Sequence, residues 1–141
     1  MSIESRLQEL GPGKAFISRE LSWLGFARRV LHLVGRPNLA LLERVKFAGI
    51  IGMLHDEFFM KRISGLKREV ARGVTKLSID GRTPVDELDA CRDQLLRQAG
   101  DLNRLWSKEL RPELARAGLP VLNHDELTGD ERETLRDYFT H

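Results

Sequence analysis

A single cysteine, Cys91, stands among 141 residues. No intrachain disulfide can form, and nothing points to an oxidising compartment. A surplus of one charge is also missing: 23 basic against 21 acidic side chains leave a formal +2, too weak a field to imply nucleic acid or an anionic membrane. The longest apolar run, Phe47 to Leu54, has eight residues, far short of the roughly 18 that span a bilayer. Met1 to Leu10 contains no signal-peptide core, and a cytoplasmic location is expected. There is no glycine-rich phosphate loop, no dinucleotide fingerprint, no nucleophile elbow and no internal repeat. The four histidines, His32, His55, His124 and His141, are scattered without metal-ligand spacing.

What is present is helical periodicity. With 41% hydrophobic residues the chain can build a real core, and the spacing predicts an all-α small helical bundle. Ile3 to Leu10 ends at Gly11-Pro12-Gly13, which marks residues 1–14 as a flexible arm. From Ser22, a candidate N-cap, to Val34, one half of a helix carries Trp23, Leu24, Phe26, Ala27, Val30, Leu31, Leu33 and Val34. Gly35-Arg36-Pro37-Asn38 is expected to end that helix and cap the next. The second helix, Leu39 to Gly52, has polar positions only at Glu43, Arg44 and Lys46, so beyond Lys46 it is expected to be enclosed on every side. Gly49 and Gly52 suggest close backbone approach or a bend, with a break near Gly52 to His55.

A new amphipathic helix is then expected from Asp56 to Arg72. Phe59, Ile63, Leu66 and Val70 form its inner stripe, with Lys61, Arg68 and Arg72 almost opposite. Asp56 and Glu57 read as first-turn acids, and Glu57 precedes Lys61 by the four residues that favour an ion pair. After a loop, Thr83-Pro84-Val85-Asp86 supplies a cap, a proline at the first helical position and an acid at the third. The long helix that follows has its apolar seam at Leu88, Cys91, Leu95, Ala99, Leu102, Trp106 and Leu110, and Pro112 is expected to kink or end it. Residues 15–117 make up the main domain. Residues 118–141 form an extended connector, Leu119 to Asn123, and the first helix of a following domain, capped by Thr128 and Glu131 and carrying Tyr138 and Phe139.

Three segments, taken together, resemble the amino-terminal domain of polyphosphate kinase. They are Arg19-Glu20-Leu21-Ser22-Trp23-Leu24 with Phe26 and Arg29-Val30-Leu31; Leu41-Leu42-Glu43-Arg44-Val45-Lys46-Phe47; and Asp56-Glu57-Phe58-Phe59-Met60 with Arg62 and Gly65-Leu66-Lys67. The resemblance implies a helical domain that covers the adenine end of an ATP site. Transfer of phosphate between ATP and inorganic polyphosphate, with magnesium and a phosphorylated histidine, would fall to carboxy-terminal domains absent here, so this fragment alone is expected to be inactive. The family's asparagine before its Leu-Asp-Glu-Phe-Phe segment falls on Leu54, which can neither donate nor accept a hydrogen bond. Met53 and Leu54 are then expected to pack on the base, while His55 or a backbone group freed at the helix break supplies the polar contact. Ala27 and Ala40 also depart from the family, which commonly has asparagine and proline there.

Lys61, Arg68 and Arg72 are candidates for contact with a polyanion, polyphosphate included, against a plain solvated face. A second reading makes the chain a helical docking or self-association module, using the long helix's seam and the Tyr138-Phe139 end. A nucleic-acid surface at the same basic face lacks any reading motif.

Overall fold

The computed structural model describes residues 16–140, all α-helical with no strand among them. The amino-terminal arm expected over residues 1–14 lies outside the described residues. Helix α1 (Arg19–Val34) starts at Ser18, whose hydroxyl oxygen accepts from the Leu21 amide. Ser22 is therefore not the cap. The apolar pattern becomes visible only at Trp23 because the first turn is polar in sequence. Leu24, Ala27, Leu31 and Val34 are buried along one stripe of α1, while Phe26 faces out with the Arg29 guanidinium 5.8 Å from its ring centre.

Helix α2 (Leu41–Phe58) follows a backbone turn in which the Leu39 amide donates to the Arg36 carbonyl. Its cap residue, Ala40, offers no side-chain bond, and Asn38 does not cap. The expected break at Gly52 to His55 does not occur: α2 runs unbroken to Phe58, so Asp56 and Glu57 lie in its last turn, not at a helix start. Two glycines cost roughly 1 kcal/mol each, a penalty that the packing of Ile51 and Leu54 against α1 and the long helix can offset. No backbone approaches them closely either, since a Cβ at Gly49 or Gly52 would meet no neighbouring atom within 4 Å. Nor is the helix enclosed beyond Lys46, for Gly49 is exposed and Met53 is 66% exposed.

The irregularity falls later. Phe59–Ile63 form a π-turn leading straight into α3 (Ser64–Ala71). A π-turn holds one residue more than an α-turn and moves everything after it by about 100°. Phe58 and Ile63, five apart, thus share the inner face. Phe58 is 2% exposed and stacks on Trp23 with ring centres 4.9 Å apart, whereas Phe59, the expected core residue, is 54% exposed.

Thr83, Pro84 and Asp86 begin α4 (Pro84–Leu105) with a reciprocal capping box. Its inner face is Pro84, Glu87, Cys91, Gln98 and Leu105, with Leu88, Leu95 and Leu102 only partly buried beside it and Ala99 exposed. A second π-turn, Trp106–Leu110, carries the chain into α5 (Arg111–Arg116), so the helix passes through Pro112 without ending. The widened turn relieves the clash a proline ring makes with the preceding turn, and Pro112 lies just past it, in the first turn of α5. Gly118, at φ +80°, closes α5: its amide donates to Ala115 and that of Leu119 to Leu114. An extended connector and a short 3₁₀ turn (His124–Glu126) lead to α6 (Gly129–Thr140), capped by Thr128 and Glu131 as expected.

Helix α1 packs on α2 and α4, and α3 packs on α4. One core cluster centres on Ala27, Leu31, Val34, Ile51, Leu105 and Leu110; the other on Leu24, Phe58, Ile63, Leu66 and Cys91. Of the expected seam of α4, only Cys91 and Leu110 are buried within the chain; Leu88, Leu95, Leu102 and Trp106 are partly buried and Ala99 is exposed.

Candidate functional site

Helix α2 turns about 100° per residue, so Met53, Leu54 and His55 cannot share a face. Met53 points to solvent, Leu54 packs against the core with Ile51 and Leu105, and His55 turns toward α4. The structure keeps these three neighbours in chain but does not gather them on one surface. Their backbone groups are inside a continuous helix, so the freed backbone donor expected at a break does not exist.

His55 is the one that reaches a cavity. A cleft of about 650 Å³ lies between the α2–α3 segment and α4, walled by Phe59, Ile63, Leu88, Leu95, Leu96 and Ala99. Its polar lining is His55, Asp56, Lys67, Asp89 and Arg92. The Lys67 ammonium stands 5.8 Å from the centre of the Phe59 ring, within the range of a cation–π contact. Apolar walls with a polar rim suit an apolar body with a polar edge. No hydroxyl or thiol lines the cleft.

The imidazole is fixed from behind. Gln98 is 1% exposed, and its Nε2 donates to the Leu24 carbonyl at 2.8 Å. A carbonyl only accepts, so the amide's other end, Oε1, faces His55 at 2.9 Å and takes a proton from Nε2. Gln98 is not legible in the sequence because a polar residue beside an apolar seam reads as facing solvent. Its spacing was the available signal: it sits seven residues after Cys91 and seven before Leu105, on the inward face of α4.

The three basic candidates stand apart from the cleft. Lys61 is exposed and bonded to Glu57 at 2.5 Å, the pair expected from their spacing, and this contact holds the Glu57 carboxyl below its usual range. Arg68 and Arg72 are exposed on α3 and at its carboxyl end. The cations that line the cleft are Lys67 and Arg92 instead. Cys91 is buried, and burial, then the charges of Glu87 and Glu20, push its thiol up to about 12, which keeps it an unreactive packing group. Among the described residues no group of three His, Cys, Asp or Glu side chains is placed to hold a metal ion, so no magnesium site is assigned. No helix among them is long and apolar enough to cross a membrane.

Comparison with known proteins gives a consistent answer. Residues 16–122 match the polyphosphate kinase N-terminal domain family. A polyphosphate kinase of Thermosynechococcus vestitus is 40% identical over 124 residues, 88% of this chain and 17% of that protein. One from Prosthecochloris aestuarii is 37% identical over 127 residues, 89% of this chain and 18% of its own length. One from Mycobacterium marinum is 40% identical over 128 residues, 91% of this chain and 17% of its own length. The chain thus spans less than a fifth of these curated relatives. No solved structure matches it.

Proposed function

Because the chain belongs to the polyphosphate kinase N-terminal domain family, we propose that it covers the adenine side of the ATP site of a polyphosphate kinase. Reversible transfer of phosphate from ATP to polyphosphate, through a phosphohistidine and with magnesium, then takes place in domains outside this chain, and the chain alone is inactive. One observation carries the reading. His55, the residue after the family's adenine-contact position Leu54, lines an apolar-walled cleft large enough for a purine, while Leu54 itself packs on the core. The whole enzyme's partners are ATP, polyphosphate and its own remaining domains, in the cytoplasm.

The test is ATP titration of the full-length enzyme with the cleft filled by Leu96→Trp, an exposed wall position. Loss of one base-binding contact set should raise KM for ATP about tenfold, the equivalent of about 1.4 kcal/mol. An unchanged KM removes the cleft from the nucleotide site. Leu54→Asn, at a position that packs on the core and does not line the cleft, should leave KM for ATP unchanged; tighter binding would move the base contact from the cleft to the family's position.

A further inference from the structure

We propose that the apolar groove between α2 and α4 is the seat of a helix from the enzyme's other domains, one that presents a large apolar side chain flanked by charges. This deepens the reading that the chain works beside further domains of a polyphosphate kinase.

His55 meets Gln98 while Val45 and Trp106 share a groove, so α2 and α4 run antiparallel. The groove, of about 310 Å³, is lined by Val45, Ala48, Gly49, Leu102 and Trp106, with no charged side chain. No residue of α1 or α3 lines it, so the chain's own packing leaves it uncovered. Gly49 is the feature that points outward. A glycine inside a helix weakens it and is retained where another backbone needs the room, yet a Cβ built at Gly49 would meet no atom within 4 Å. Leu42 and Met53 lie within about 40° of it around the helix and are 60% and 66% exposed. They extend the apolar strip.

Charge and size describe the occupant. Lys46 is exposed near the start of the strip and Asp56 past its end, so the fitting helix carries an acid opposite the first and a base opposite the second. From Val45 to Met53 the strip is about 12 Å long and two helices wide, on the order of 250 Å². A stable dimer buries roughly 800 Å² per partner. A second copy would therefore hold poorly here, whereas a tethered domain needs far less surface because its effective concentration reaches about millimolar. The chain spans less than a fifth of its curated relatives, and the remaining length is the source of the helix.

Hydroxyl-radical footprinting of this chain and of the full-length enzyme tests the seat, since methionine and tryptophan oxidise according to their exposure. Met53 and Trp106 should react about fivefold more slowly in the full-length enzyme at every protein concentration, as residues of a buried interface do. Protection that appears only as concentration rises would assign the groove to a second copy, and protection that requires ATP would assign it to the nucleotide site; either overturns the proposal. If other residues of the chain are protected and these two are not, the seat is wrong and the multidomain reading stands. If no residue is protected, that reading fails as well. Gly49→Leu supplies a second arm. It should lower the unfolding equilibrium constant of this chain about threefold by its helix propensity, yet return Met53 in the full-length enzyme to the rate seen in this chain. Easier unfolding of this chain would mean that Gly49 serves internal packing, and a Met53 that stays protected would mean that nothing enters the groove at Gly49; both outcomes overturn the proposal.

Discussion

Glu87 is 6% exposed on the inner face of α4, and its Oε1 lacks any protein partner among the described residues. Burial raises its pKa above the usual 4.5, and the neighbouring Glu20 and Asp80 add to the rise. A carboxyl raised in the folded state binds more protons there than in the unfolded chain. Its contribution is therefore fully present below pH 4.5 and is lost as pH climbs through the folded value. Glu87→Gln keeps the shape and removes the titration. Urea unfolding should find the variant more stable by about 1 kcal/mol at neutral pH, with the difference shrinking towards pH 4.5. Arg44 behaves in the opposite way. It is buried with its Nε on the Val34 carbonyl at 2.7 Å and its Nη2 on Glu109 at 2.7 Å, while Glu113 lies 3.4 Å from Nη1. Arg44→Met should cost about 3 kcal/mol by urea unfolding, and Arg44→Lys nearly as much, because one ammonium cannot serve three acceptors as a planar fork does. These residues, with Gln98, are what a hydrophobicity pattern cannot display. Each is polar in sequence, and Arg44 and Gln98 become interior only because a partner on another helix satisfies part of them. Local chemistry was legible: Thr83 with Asp86, Thr128 with Glu131 and Glu57 with Lys61 all pair within four residues, where no tertiary knowledge is needed.

At the scale of elements, helix content and order were readable because apolar spacing repeats over many turns. The error at Gly52 to His55 came from treating glycine as a breaker, although its propensity penalty is small beside the burial of Ile51. The error at Phe58 and Phe59 has a different source. Two adjacent phenylalanines fit either register, and only the size of the turn that follows decides which one goes in. That dependence gives a test. Deleting Met60, an exposed residue of the π-turn, should convert it to an α-turn with Phe58 and Ile63 four apart, which keeps Ile63 and Leu66 on the inner face and changes stability by less than about 1 kcal/mol by urea unfolding. An alanine inserted beside Met60 should instead swing Ile63 and Leu66 off that face by about 100° and cost about 3 kcal/mol or more. Equal effects from both would show that the π-turn does not set the register.

For the whole molecule, the two core clusters draw only on residues up to Leu110, and Leu114 is the last buried residue in the described chain. Beyond it, no residue from 115 to 140 is buried, and Tyr138 and Phe139 touch each other edge to face in solvent. We propose that the helical domain is energetically complete near the end of α5, whose Gly118 turn satisfies its final carbonyls without help from α6. The stretch matching the family also ends at residue 122. A chain cut after Leu122 keeps the bond from Arg111 to the Val121 carbonyl and forfeits the exposed ion pair between Arg111 and Glu126. Such surface pairs contribute from about zero to 1 kcal/mol, so the shortened chain should unfold within about 0.5 kcal/mol of the original. A loss of several kcal/mol would mean that α6 folds back on the bundle and that residues 118–141 belong to the same cooperative unit. Sedimentation of both lengths adds the complementary reading. Self-association present in the long chain and missing from the short one would place it at Tyr138 and Phe139, because the inner face of α4 is already filled by α1, α2 and α3.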